Sequence, residues 1–212
     1  MACMENDPQG STRDRLLDAA ERLFLEKGAD RVSVRAINAA AGLNPGAAHY
    51  HFGSREGLVT ALLERELLPV WADGLRTIAD RCGAGGAADI GELAAAIVGP
   101  FDELWRTPKG RMLCHLLARS VLPGRRMPAA SAWFGPAPFE VMLARAMPGL
   151  SAREVAERWR LAFTLLLETY GRALAPSPDA AGAPPAAATV AAFLTAGLTA
   201  PPTAPPAAPP TA

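Results

Sequence analysis

Residues 34–58 read VRAINAAAGLNPGAAHYHFGSREGL, and the punctuation of this stretch decides the fold. Ser33 stands before it as a helix N-cap, with Val32 and Ile37 at the two positions of a hydrophobic staple. Val34, Ile37 and Ala41 mark the buried face of a short helix, which Gly42 ends. Leu43 follows as an apolar plug. Asn44 reads as the next N-cap and Pro45 as the first helical residue, where its missing N–H costs nothing. A third short helix then runs from Gly46 to about His51 and closes at Phe52-Gly53. Ser54 caps a fourth helix whose apolar stripe is Leu58, Val59, Leu62 and Leu63. Two short helices joined by a tight glycine-containing turn form a helix-turn-helix.

The later helix of that pair is unusual. It has almost no large aliphatic side chain to bury and presents small residues together with His49 and Tyr50. Small residues let a backbone approach a major groove, and His and Tyr reach phosphates or base edges. The charge pattern agrees. From Arg31 to Arg55 there is no Asp or Glu, while Arg31, Arg35, His49, His51 and Arg55 all fall in that window. An acid-free basic surface is what a phosphate backbone requires.

Working towards the N-terminus, Ser11 with Asp14 three residues on starts another helix, and Leu16, Leu17, Ala20, Leu23 and Phe24 form its stripe. Gly28 is placed to end it in the left-handed conformation. Towards the C-terminus the helical pattern persists. Pro69 to Cys82 continues with Val70, Trp71, Leu75 and Ile78. Asp89 opens a helix to about Thr107, expected to be disturbed at Gly99-Pro100. Pro108 opens another, a loop with Arg125-Arg126 follows, and Pro136–Met147 is helical. Ser151 caps a long helix from Ala152 to about Ala175, apolar nearly all round between Leu161 and Leu167. Such a helix needs a core on one side and a partner on the other, and Leu166 is taken as an outward position. Residues 189–198 form the last helix. The expected fold class is therefore all-α.

Composition excludes several classes. The 212 residues carry zero formal net charge and are half hydrophobic, enough for a real core. No apolar run reaches the eighteen or so residues of a membrane span, and Met1–Gly10 lacks the apolar segment of a secretory signal, so a cytoplasmic location is expected. Cys3, Cys82 and Cys114 lie far apart with no CxxC pair and read as reduced structural thiols. Residues 83–88 match GxGxxA, but no strand precedes them, so no dinucleotide site is read there. No cofactor, metal site or catalytic residue is expected. There is no GxSxG or HExxH motif, and two of the three His lie in the helix-turn-helix. His49 and His51 would point about 200° apart on a helix, a poor metal pair.

The run from Val34 to Leu58, with the helix Arg13–Lys27 before it, resembles the signature of the TetR family of transcriptional regulators over about residues 11–68. It departs from the usual pattern at His49, where Tyr is frequent, at Asn38, where Ala is common, and at Arg55, where Lys is usual. The resemblance implies a DNA-binding regulator and not an enzyme. It implies DNA contacts from Ser33, Arg35, Asn44, Pro45, Gly46, Ala47, His49, Tyr50 and Arg55. It also implies a homodimer joined through helices 152–175 and 189–198, and a ligand-released repressor acting on a pseudo-palindromic operator. An apolar or aromatic effector would be met by Trp71, Trp105, Met112, His115, Trp133, Phe134, Trp159, Phe163 and Tyr170, with His115 as the polar handle. The expected organisation is a disordered N-terminus (1–10), a helix-turn-helix domain (11–56), a helical effector and dimerisation domain (57–198), and a disordered Pro/Ala-rich tail (199–212). The rival reading is a helical protein-interaction module without DNA affinity.

Overall fold

The computed structural model describes residues 11–83, 89–122, 138–171 and 182–202, and among these every regular element is helical. The chain is all-α. Helix α1 spans Thr12–Lys27, α2 Val34–Ala40, α3 Ala47–Phe52 and α4 Arg55–Gly83. Beyond them come α5 Ile90–Trp105, α6 Pro108–Val121, α7 Pro138–Ala146, α8 Ala152–Tyr170 and α9 Ala187–Leu198. A single 3₁₀ turn, Ala29–Arg31, sits between α1 and α2.

Most helix starts follow from their caps. The hydroxyls of Ser11, Ser33 and Ser151 each accept an N–H three residues on, at 3.2 Å. Ser54, Asp89 and Thr107 do the same at 2.9–3.0 Å. Each bond satisfies a donor that helix geometry leaves unpaired. Val32 and Ile37 are both buried, closing the expected staple over α2. At Gly42 the backbone turns left-handed, with φ +67°, which glycine adopts at no steric cost.

One expectation changes. Gly99-Pro100 does not break α5, which runs through it. Likewise Pro69 lies inside α4, so residues 55–83 are one helix of 29 residues. In both places the proline removes one N–H from the ladder, and the buried neighbours Leu67, Trp71, Val98 and Phe101 hold the helix against the core.

The N-terminal helices close over Leu16, Leu17, Phe24, Ile37, Leu58 and Leu62, all essentially inaccessible. The larger C-terminal part closes over Leu93, Phe101, Met112, Leu113, Leu166, Leu167 and Tyr170. Helix α4 belongs to both and crosses the boundary expected near residue 56. Gly171 allows the end of α8 to press on α6: a Cβ there would lie 2.4 Å from that of Ala118. Cys114 is buried nearby, and burial pushes its thiol up to about 12, so it stays neutral and unreactive. Cys3 and the side chain of Cys82 lie outside the described residues. Among the described residues no helix is long and apolar enough to cross a membrane.

Candidate nucleic-acid interface

The turn between α2 and α3 is built differently from its sequence reading. Asn44 does not cap a helix that begins at Pro45. Its Oδ1 accepts the Gly46 N–H at 3.2 Å, making a local side-chain turn, and α3 begins only at Ala47. Gly46 is then the residue before the helix and offers no side-chain cap. The capping bond comes from Asn38, on α2. Its Oδ1 accepts the Ala48 N–H at 3.0 Å and its Nδ2 donates to the Pro45 carbonyl at 2.7 Å. Asn38 is 1% exposed. The far end of α2 is held from α1, where Arg15 donates to the Ala41 carbonyl at 2.8 Å and Arg22 to that of Ala40 at 3.5 Å.

On this frame α3 turns His49, Tyr50 and His51 to solvent. Tyr50 is 86% exposed, the most exposed large hydrophobic side chain among the described residues, and stands edge-on to His51 with ring centres 5.2 Å apart. Ser33, Arg35, Asn44, Pro45 and Gly46 are exposed as well. The Ser33 hydroxyl is also the α2 cap.

Two of the nine expected contact residues are placed otherwise. Ala47 is buried, packing inward beside Ala48. Arg55 points back into the fold. Its guanidinium donates to the carbonyls of Ala29 and Val32 and lies over the Phe24 ring, 5.7 Å from its centre. It pins the 3₁₀ turn to the start of α4. The residue that the sequence reading missed is Asn38, noted there only as a departure from Ala. A signal existed: it is the one polar side chain four residues after Val34 and three before Ala41, on the buried stripe.

A comparison with known families places this segment. Residues 16–62 match the model of the bacterial regulatory proteins of the tetR family. The match spans the helix-turn-helix, from α1 into α4. The regulator UidR of Escherichia coli K12 is 38% identical over 52 residues, 24% of this chain and 26% of UidR, so the chain spans about a quarter of that relative's length in the match. Among solved structures, SmeT, the repressor of a Stenotrophomonas maltophilia multidrug efflux pump, superposes with a TM-score of 0.56. It is 24% identical, covering 93% of this chain and 96% of SmeT. NalD, a repressor of a Pseudomonas aeruginosa efflux pump, gives 0.51 at 23% identity, covering 88% of this chain and 94% of NalD. The shared fold thus extends over both parts of the molecule.

In the C-terminal part of the chain, an apolar cavity of about 20 Å³ lies among Trp71, Ile97, Phe101, Leu117, Phe139, Trp159 and Phe163. Three rings stack in series, Phe139 on Trp159 at 5.0 Å and Trp159 on Phe163 at 5.5 Å. Of the expected effector residues, Trp71, Trp159 and Phe163 line this space. Met112 and Tyr170 are buried in the core, Tyr170 stacked on Phe101 at 5.6 Å. Trp105 is elsewhere, under the Arg111 guanidinium. His115 is spent on structure, with Nδ1 3.1 Å from the Gly171 carbonyl oxygen. Trp133 and Phe134 lie outside the described residues.

Charged groups tie the two parts together. Arg65 on α4 meets Asp18 and Glu21 of α1 at 2.7 and 3.2 Å, and Glu66 at 2.8 Å. Lys109 on α6 meets Glu21 and Glu66, both at 2.7 Å. Burial opposes the charge on Glu66, but the hydrogen bonds and charges of Lys109 and Arg65 outweigh it and hold the carboxyl below its ordinary value. Burial likewise opposes the charge on Lys109, whose bonds to Glu21 and Glu66 hold it above its ordinary value. At the other end of α6, Arg119 pairs with Asp30 of the 3₁₀ turn.

Proposed function

We propose that this chain is a ligand-released repressor that binds a pseudo-palindromic operator as a homodimer in the cytoplasm. The observation that carries the DNA reading is α3 itself: a short helix, fixed by hydrogen bonds from its neighbour, that turns Tyr50 and His49 outward within a segment, residues 31–55, that carries arginines and no Asp or Glu. Tyr50, His49, Arg35 and the exposed turn Asn44-Pro45-Gly46 are the reading surface. Ser33 acts there through its cap and Ala47 through close packing. Arg55 contributes by positioning the start of α4 more than by reaching a phosphate. The domain division follows the same line, with residues 11–56 as the DNA head and 57–198 as the body.

The dimer rests on α8 and α9. Leu161 is 69% exposed and Phe193 68% exposed in the single chain, one large uncovered apolar side chain on each helix. Leu166 is not on that face. It is fully buried in the chain's own core. Two heads joined through such a face would read half-sites on one side of the duplex.

For the effector, the aromatic cavity supports a flat, uncharged compound. At about 20 Å³ it has room for one water, far below the roughly 300–1,000 Å³ of small-molecule sites, so binding must spread the stacked rings. SmeT has been solved with triclosan, an aromatic ligand. Helix α4 starts beside the reading surface and passes the cavity at Trp71, so a ligand preferring one tilt of α4 would change the spacing of the heads. A coupling of about 1–3 kcal/mol changes operator affinity some 5–150-fold.

The test is selection of duplexes from a randomised pool, followed by gel shift with an unrelated competitor duplex. A single retarded dimer complex on a palindromic consensus, weakened by salt, is expected. No salt-dependent affinity for any duplex would instead favour a helical protein-interaction module.

A further inference from the structure

Asn38 reaches from α2 across to the start of α3. We infer that Asn38 is a positioning residue for DNA reading: from α2 it caps α3 in trans and so sets the angle at which His49 and Tyr50 are presented. The inference rests on the DNA-binding reading above.

Helix α3 has six residues, too few to hold its own geometry. Its N-terminus has free N–H groups to satisfy, and the residue before it, Gly46, has no side chain to offer. The Ala47 N–H is taken by the Asn44 carbonyl at 3.1 Å. The next donor, on Ala48, belongs to a residue 2% exposed, where water does not substitute. Asn38 supplies the acceptor. Its amide nitrogen binds the Pro45 carbonyl on the other side of the helix start. A third bond joins the Leu43 N–H to the backbone carbonyl of Asn38 at 2.9 Å.

One bond would let α3 pivot. Two bonds from one rigid amide, on peptide groups either side of the helix start, oppose rotation as well. The residue must carry a donor and an acceptor on two separate atoms of one short stem, which Asn does; Asp and Ala do not, and Ser offers both only from a single oxygen. His49 and Tyr50 follow Ala48 directly, so a shift at the cap reaches them undiluted. The frame continues backward, because Arg15 and Arg22 hold the end of α2 against α1.

The experiment uses the full chain with Asn38→Ala and Asn38→Ser. The probes are a duplex selected by the wild type from a randomised pool and an unselected duplex of equal length, titrated well below each variant's melting temperature. Exchange of the Ala48 amide proton is followed by NMR. We expect the preference for the selected duplex to fall about ten- to a hundredfold, the scale of one or two lost base contacts, while affinity for the unselected duplex changes less than about twofold. The Ala48 amide should lose protection. A residue that merely supports the fold would lower both affinities together and leave their ratio unchanged, and that result in folded variants overturns the inference. Unchanged Ala48 protection in Asn38→Ala overturns it too. Should Asn38→Ala not fold, Asn38→Ser, whose hydroxyl still satisfies one partner, decides. A wild type that selects no duplex defeats the DNA reading and this inference with it, whereas an unchanged ratio in a protein that does select defeats the inference alone.

Discussion

The head and the body of this molecule are held by different forces. Around α2 and α3 the chain uses directional bonds: Asn38 to Pro45 and Ala48, Arg15 to Ala41, Arg55 to Ala29 and Val32. Around the cavity the body uses stacked rings and aliphatic contacts, with Trp71 Nε1 to the Ile97 carbonyl, 3.2 Å, as a polar tie. Hydrogen bonds fix angle and register. Ring packing fixes volume and tolerates sliding. The contrast suits a head that must present one surface to a duplex and a body that must yield to a ligand. Between them lies the network of Arg65, Lys109, Asp18, Glu21 and Glu66, which joins α1, α4 and α6.

The largest expected effect separates core from interface within the body. Leu166→Glu puts a charge into a fully buried site and should cost at least about 4 kcal/mol, enough to unfold the chain. Leu161→Glu lies on the exposed face and should leave the helical signal intact while light scattering reports monomers. A folded Leu166→Glu monomer would reverse the assignment of the two faces.

A middle-sized effect tests the head. Arg55→Ala strands the carbonyls of Ala29 and Val32 and should lower stability by about 1–3 kcal/mol in urea unfolding. An Arg55→Ala variant that keeps full stability but loses salt-dependent DNA affinity would return Arg55 to the phosphate-contacting set.

The smallest effect concerns the junction. Its ion pairs are partly exposed, so Lys109→Met should cost under about 1 kcal/mol, and less in high salt. Glu66 has a lowered pKa in the folded state, so its contribution is present above the ordinary carboxylate value near 4.3 and fades as pH falls through the lower, folded value. Denaturation midpoints of wild type and Lys109→Met should therefore converge in acid, as pH falls through the lowered folded-state value of Glu66. A gap that persists there would show that Lys109 acts by packing.

What the sequence made legible was what is local. Ser11, Ser33, Ser54, Asp89 and Ser151 cap the helices they were expected to cap, because a cap acts within three residues. The helix-turn-helix followed from Gly42 and the staple. The rest depends on distant partners. Arg55 reads as a surface cation until Ala29, 26 residues away, offers its carbonyl. The stretch Leu161–Leu167 is apolar on nearly all sides, so its sequence carries no phase, and packing on α6 and α9 decides that Leu166 faces in and Leu161 out. His115 looked like a ligand handle because Gly171, its partner, is 56 residues on. Phe101 and Phe139 line the cavity and were not foreseen, since nothing in a helical stripe tells a core ring from a cavity ring.

The most direct test of the central claim is fluorescence anisotropy of a selected duplex with wild type and Tyr50→Ala at two salt concentrations. Tyr50 is 86% exposed, so its removal should change stability by no more than about 0.5 kcal/mol. If α3 reads DNA, affinity for the selected duplex should fall about 5–150-fold, the range of a lost 1–3 kcal/mol contact. Equal affinity of Tyr50→Ala and wild type at both salt concentrations would contradict the account.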